Sequence, residues 1–186
     1  MSVKDFDLHE MKIYNEGSLK VIALRRPNTS VYYIKFIIDH GTVFISGDLG
    51  FAVLSFGHYP VSVEILSGIT ESEYFIEKLV AFEGDSPYQF CPEKALESIS
   101  NWEKDMKEEE IDYNLSMMSE FKKFIRNCDS IREFEDGLND NFFDFIHSID
   151  DEPGWLYRIG NVPSVRIQLY LDALKNINRR LKEISE

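Results

Sequence analysis

Residues 37–56 read IIDHGTVFISGDLGFAVLSF. Three runs of alternating apolar residues are separated by two punctuations, Asp39-His40-Gly41 and Gly47-Asp48-Leu49-Gly50. A period of two marks a half-buried strand, and Gly with Asp supplies the positive φ and local hydrogen bonds of a tight turn. The stretch therefore predicts a β-meander. A phosphate-cradling glycine loop fits less well. Such loops open a helix, whereas strands flank both turns here, and no Lys-Ser or Lys-Thr follows GDLG. The same residues admit an enzymatic reading in which Asp39, His40 and Asp48 gather at one sheet edge to hold a divalent ion or act as acid and base. Strand alternation weakens that reading, because it sets Asp39 and His40 on opposite faces.

Upstream, SVYYIKFIID (30–39) is rich in β-branched and aromatic residues and predicts the central strand, and KIYNEGSLKVIAL (12–24) predicts a hairpin closed around Gly17. That makes four or five antiparallel strands. Downstream the period changes. TESEYFIEKLVAFEG (70–84) predicts a helix capped by Thr70 and ended by Gly84. CPEKALESISNWEKDMKEEE (91–110) predicts one entered at Pro92 with Ala95, Leu96, Ile99 and Trp102 on its apolar face. Residues 113–127 and 130–149 repeat the pattern. SVRIQLYLDALKNINRRLKEISE (164–186) predicts a long helix with Val165, Leu169, Ala173 and Ile177 along its stripe. Strands first and helices later predict an α+β fold: one domain over 1–186, with 1–66 mainly strands packed against helices from 67–186.

The 186 residues carry 33 acidic side chains against 20 basic ones, a formal net charge of −13. Such a surface repels phosphates at long range and attracts basic surfaces, which argues against a general nucleic-acid binder but leaves room for a local basic patch. Cys91 and Cys128 have no partner motif and imply neither a disulfide framework nor a zinc site. The charged start MSVKDFDLHEMKIY predicts no secretory leader, and no apolar run is long enough to predict a membrane span, so a cytoplasmic protein is expected. The sequence contains no GxSxG, Walker or HExxH pattern.

Two acidic stretches stand out. Residues 71–112 hold thirteen carboxylates against four lysines, and residues 129–152 have Arg132 as their only Lys or Arg. If these helices share a face, their carboxylates imitate nucleic-acid phosphates and suit a positively charged groove. Glu103, Asp105, Glu108, Glu109, Glu110 and Asp112 are the candidate partner-binding residues, set against the simpler reading of a solvated helix face. Arg25-Arg26 could anchor a carboxylate or phosphate, and Arg179-Arg180 suits the dipole at a helix C-terminus.

The run RRPNTSVYYIKFIIDHGTVFISGDLGFAVLSF, followed by ESEYFIEKLVAFEG, CPEKALESISNWE and YLDALKNINRRL, resembles a family of uncharacterised phage and prophage proteins. The resemblance covers residues from about 25 onward, and the GDxG turn is its most specific part. It implies no established activity, so no catalytic residue carries over. Size and acidity are also similar to those of phage proteins that antagonise host defence, anti-CRISPR proteins above all. The expectation is an inhibitor that binds the nucleic-acid groove of a Cas9-type effector or its guide-RNA complex, without a cofactor and without a membrane. The alternatives are a metal-assisted nuclease acting on guide RNA or another nucleic acid through Asp39, His40 and Asp48, and a structural or regulatory phage protein acting as a homo-oligomer.

Overall fold

A computed structural model describes residues 6–29, 31–84 and 86–185, the side chain of Ser185 excepted. The chain is α+β. Strands β1 (Glu10–Glu16), β2 (Leu19–Arg25), β3 (Ile34–Asp39), β4 (Thr42–Gly47) and β5 (Ala52–Ser55) run as an antiparallel meander. After helices α1 (Val63–Ser67) and α2 (Ser72–Glu77), β6 (Leu79–Phe82) joins the far edge, so the sheet has six strands in sequence order. The β1–β2 connection pairs Glu16 with Leu19 across Gly17-Ser18, and the β3–β4 connection pairs Asp39 with Thr42 across His40-Gly41. Both are two-residue loops, the length that matches strand twist.

The sixth strand corrects the helix expected over residues 70–84. That helix ends at Glu77, its N-cap is Glu71 without a side-chain bond, and Thr70 plays no capping part. LVAF is a short apolar run that reads as either helix or strand by itself. The unpaired edge of β5 decides it, with Ala52 opposite Phe82 and Val53 opposite Ala81.

Alternation places Ile22, Leu24, Ile34, Phe36, Ile38, Val43 and Ile45 on one face of the sheet, each with 1 % exposure or less. Helix α7 (Val165–Ser185) packs its Ile167, Tyr170, Leu171, Leu174 and Ile177 into the same core, joined by residues of α1 and α2. The stripe expected along α7 is broader than the spacing of four suggests. Residues 169–174 are buried without interruption, while Val165 is exposed. Asp172 lies within that run and Asn176 is buried beyond it, so the helix is enclosed there without being apolar all round. Tyr170 donates its hydroxyl to the Leu49 carbonyl at 3.2 Å, and burial pushes its pKa up to about 12.

The first described turn is latched to α7. Arg179 meets the Asp7 carboxylate at 2.6 Å, Asn176 Nδ2 donates to it at 3.2 Å, and Arg180 donates to the Phe6 carbonyl at 3.1 Å. Beside this latch His9 is 3 % exposed. Its Nε2 lies 3.2 Å from the Val31 carbonyl, and its Nδ1 has no partner among the described residues. Burial, then Arg26 and Arg180, lowers its pKa, against the opposing pull of the Val31 carbonyl. The folded state therefore holds a neutral imidazole that the unfolded chain protonates below about pH 6.5. Stability contributed here is present above that pH and lost as pH falls below it. Melting temperature is expected to drop between pH 7.5 and 5.5, and His9→Gln to flatten that dependence.

By packing, the chain forms two compact units. One comprises residues 1–87 with 163–186, and the other residues 88–162. The Ser164 amide donates to the Pro87 carbonyl at 2.8 Å, so the chain leaves the sheet unit and returns to it at one point. The second unit holds β7 (Tyr88–Phe90), α3 (Pro92–Glu108), α4 (Leu115–Arg126), α5 (Ile131–Gly137), α6 (Asp140–His147) and a 3-10 helix over Gly154–Arg158, before β8 (Asn161–Pro163) pairs with β7. Asn114, Ser130 and Asn139 cap α4, α5 and α6 through their side chains, which explains why the helical pattern of 130–149 breaks in two. The core of this unit is aromatic, with the Phe124 ring in contact with those of Phe121, Phe134 and Phe142. No described helix is long and apolar enough to cross a membrane.

Candidate functional site

The three residues of the enzymatic reading are not brought together. His40 Nδ1 lies 2.8 Å from Asp39 Oδ1, and both side chains are more than half exposed. Asp48 sits at the other end of β4, where its carboxylate accepts the Tyr32 amide at 2.6 Å and its own amide donates to Tyr33 O at 3.1 Å. Register puts Asp39 opposite Thr42 and Ile34 opposite Gly47, so the two ends are separated by roughly 17 Å of strand. Asp48 acts within its turn. Among the described residues, no group of three His, Cys, Asp or Glu side chains could hold a metal ion.

The acidic stretches do converge, through the helical unit. Pro92 occupies the first turn of α3, where its missing amide costs nothing, and Ala95, Ile99 and Met106 turn inward. Trp102 is half-buried and its ring lies 4.9 Å from that of Trp155, whose Nε1 donates to Asp150 at 2.8 Å. This contact draws the segment after α6 against α3. The result is an open cleft of about 620 Å³. Asp105 and Glu109 line it from α3 and its end, and Asp150, Asp151 and Glu152 from the other wall. Trp102, Met106, Ile111 and Ile149 supply the apolar lining, and no cation lines it. Asp150 also accepts the Glu152 amide at 3.0 Å, which fixes one carboxylate while Asp151 and Glu152 stay exposed.

The six residues named from sequence divide. Asp105 and Glu109 line the cleft. Glu103 turns away and forms an ion pair with Lys122 of α4, and Tyr113 donates to it at 3.5 Å. Its carboxylate is thus engaged within the unit, and burial followed by that carboxylate raises the Tyr113 pKa. Glu108 lies 3.5 Å from Lys104. Glu110 and Asp112 are exposed beyond the cleft lining. Asp150, Asp151, Glu152 and the Trp102–Trp155 contact complete the site. The triplet Asp-Asp-Glu before Pro153 was their one visible signal.

The end of α3 breaks two local rules. Glu108, Glu109 and Glu110 crowd the negative pole of the helix, where cations are favoured. Ile111 donates to the Met106 carbonyl at 2.9 Å and Glu110 to Lys107 at 3.4 Å, with Glu110 at φ 57°. This is a Schellman closure with glutamate in the left-handed position that glycine normally takes. Glu110→Gly is expected to stabilise the protein by about 1 kcal/mol, read from urea unfolding. Local choices that oppose the fold concentrate at functional sites.

No protein family, curated protein or solved structure matches the chain.

Proposed function

We propose that the chain is a binding protein whose acidic cleft captures a positively charged surface of another protein. The observation that carries this is the cleft itself: five carboxylates from segments about forty residues apart in sequence, over an apolar lining that includes Trp102. The carboxylates would steer and orient a basic partner, and the aromatic lining would receive the stems of its Arg or Lys side chains. Carboxylates grouped at the adverse pole of α3 support the same reading, since stability alone would select against them. The specific form we favour is a phage-encoded inhibitor that occupies the nucleic-acid groove of a Cas9-type effector, an idea that rests on the resemblance and the charge.

The test is incubation of the purified protein with guide-loaded Cas9, following DNA cleavage and guide length together. Blocked cleavage with an intact guide is the expected result. A shortened guide would instead favour the nuclease alternative, and unchanged cleavage and guide would overturn the Cas9 form.

A further inference from the structure

The face of the sheet opposite the core gathers cations along one side of an apolar row, while Glu16 and Asp39 stand in the row on its other side. Register aligns Tyr14, Val21, Ile37, Phe44 and Val53 in one row across β1 to β5. Tyr14 is 56 % exposed and Phe44 43 %, so the row is an open apolar and aromatic strip rather than a second core. The neighbouring row reads Lys12, Ala23, Lys35 and Ser46, and Arg25 stands beyond it opposite Glu10. Tyr14, Tyr33, Lys12, Lys35 and Arg25 line a groove of about 220 Å³ floored by Val21 and Ala23. Glu10 is the only carboxylate in that lining, and the three cations form no ion pair among the described residues.

We propose that this open face binds single-stranded nucleic acid, with phosphates along Lys12, Arg25 and Lys35 and bases stacked on Tyr14, Tyr33 and Phe44. Aromatic rings on a sheet surface stack unpaired bases of any sequence, and a cationic border tracks the backbone. The groove is smaller than the roughly 300–1,000 Å³ that holds a drug-sized ligand, which suits one ring at a time. An acidic peptide would satisfy the cations but leave the aromatic strip unused. A duplex keeps its bases stacked inside and cannot reach the strip. The site belongs to the sheet unit and is independent of the cleft, whose carboxylates all belong to the helical unit.

The test is fluorescence anisotropy with labelled oligouridine and oligothymidine dodecamers and a duplex of equal length, at about 50 mM salt. Both single strands should bind at least about tenfold tighter than the duplex. The slope of log affinity against log salt should be roughly −2 for three phosphate contacts. The double variant Lys12→Glu with Lys35→Glu should weaken binding at least about tenfold and flatten that slope. Tyr14→Ala should weaken it between about fivefold and a hundredfold, with Tyr14→Phe close to wild type. Lys94→Glu, the same charge change in the helical unit, should leave affinity within about twofold. Any of four results overturns the proposal: no binding by either single strand, equal binding of duplex, equal weakening by Lys94→Glu, or indifference to Tyr14→Ala in a variant whose melting is unchanged.

Discussion

Replacing Asp105 and Glu109 together with lysine is expected to reduce affinity for a basic partner about a hundredfold or more while leaving the fold intact. Both side chains are exposed on the cleft wall, so neither substitution opens a cavity or orphans a buried group. Close charge pairs across an interface couple by about 1.5 kcal/mol or more, and each 1.4 kcal/mol is tenfold in affinity. Reversal adds repulsion to the lost attraction. Asp151→Lys with Glu152→Lys attacks the opposite wall and should reproduce the loss. Glu110→Lys with Asp112→Lys, outside the lining, is the matched control for general charge and should have a far smaller effect. Binding measured by calorimetry at two salt concentrations separates the outcomes. If the control pair is as damaging as the cleft pairs, diffuse charge rather than the cleft is responsible.

Gly47→Ala should be the most damaging small substitution in the sheet. Gly47 has φ +143°, and a β-carbon there would stand 2.1 Å from the Tyr33 carbonyl oxygen and 2.9 Å from its carbon. The obstacle is backbone, held by the Asp48 amide and by the pairing of Ile34 with Gly47, so it has no flexible end to move aside. Backbone strain of about 1–3 kcal/mol and a forced shift of similar size combine to about 3 kcal/mol or more. That corresponds to a fall of roughly 6–12 °C in melting temperature for a chain of this length. Gly17→Ala is the contrast. It also has positive φ, but nothing lies within 4 Å of the added carbon, so about 1 kcal/mol of backbone strain is the whole expected effect. Thermal unfolding of the two variants checks both values.

The meander was legible because alternation and turn chemistry agree over most of Lys12 to Ser55. The exception is the strand expected over 30–39, which begins only at Ile34, after a turn at Val31-Tyr32 with Tyr32 at φ 57°. Ser30 lies outside the described residues. Where they disagree, reading fails. Leu79-Val80-Ala81-Phe82 continues a helical stretch in sequence, and only the free edge of β5 makes it a strand. Similarly, periodicity on α7 finds an apolar stripe but cannot reveal that a helix buried over 169–174 has hardly any outside. The acidic stretches could be counted in sequence, yet their meeting depends on Trp155 donating to Asp150 and packing on Trp102. Asp105 and Asp150 share no local pattern. Glu103 looks identical to Asp105 in a charge tally, and only the position of Lys122 on the neighbouring helix tells them apart. On the outer sheet face, Lys12 and Lys35 become neighbours through two rungs of strand pairing that no short motif records.

The single hydrogen bond from Ser164 to Pro87 makes residues 88–162 a detour in the path of the sheet unit. Helix α7 completes the core over β2 to β5, yet the ribosome makes it only after the whole detour. Until then the apolar face carrying Phe36 and Ile45 lacks its principal cover, and a nascent chain is exposed to association for that interval. Closing a loop that long adds entropy cost, but each doubling of length adds only about 0.6 kcal/mol, so the penalty falls on folding rate more than on stability. The same geometry makes the junction a socket. A short turn joining Pro87 to Ser164 should give a sheet unit that folds faster than the parent, and other inserts with closely spaced ends should be accepted there without disturbing the sheet.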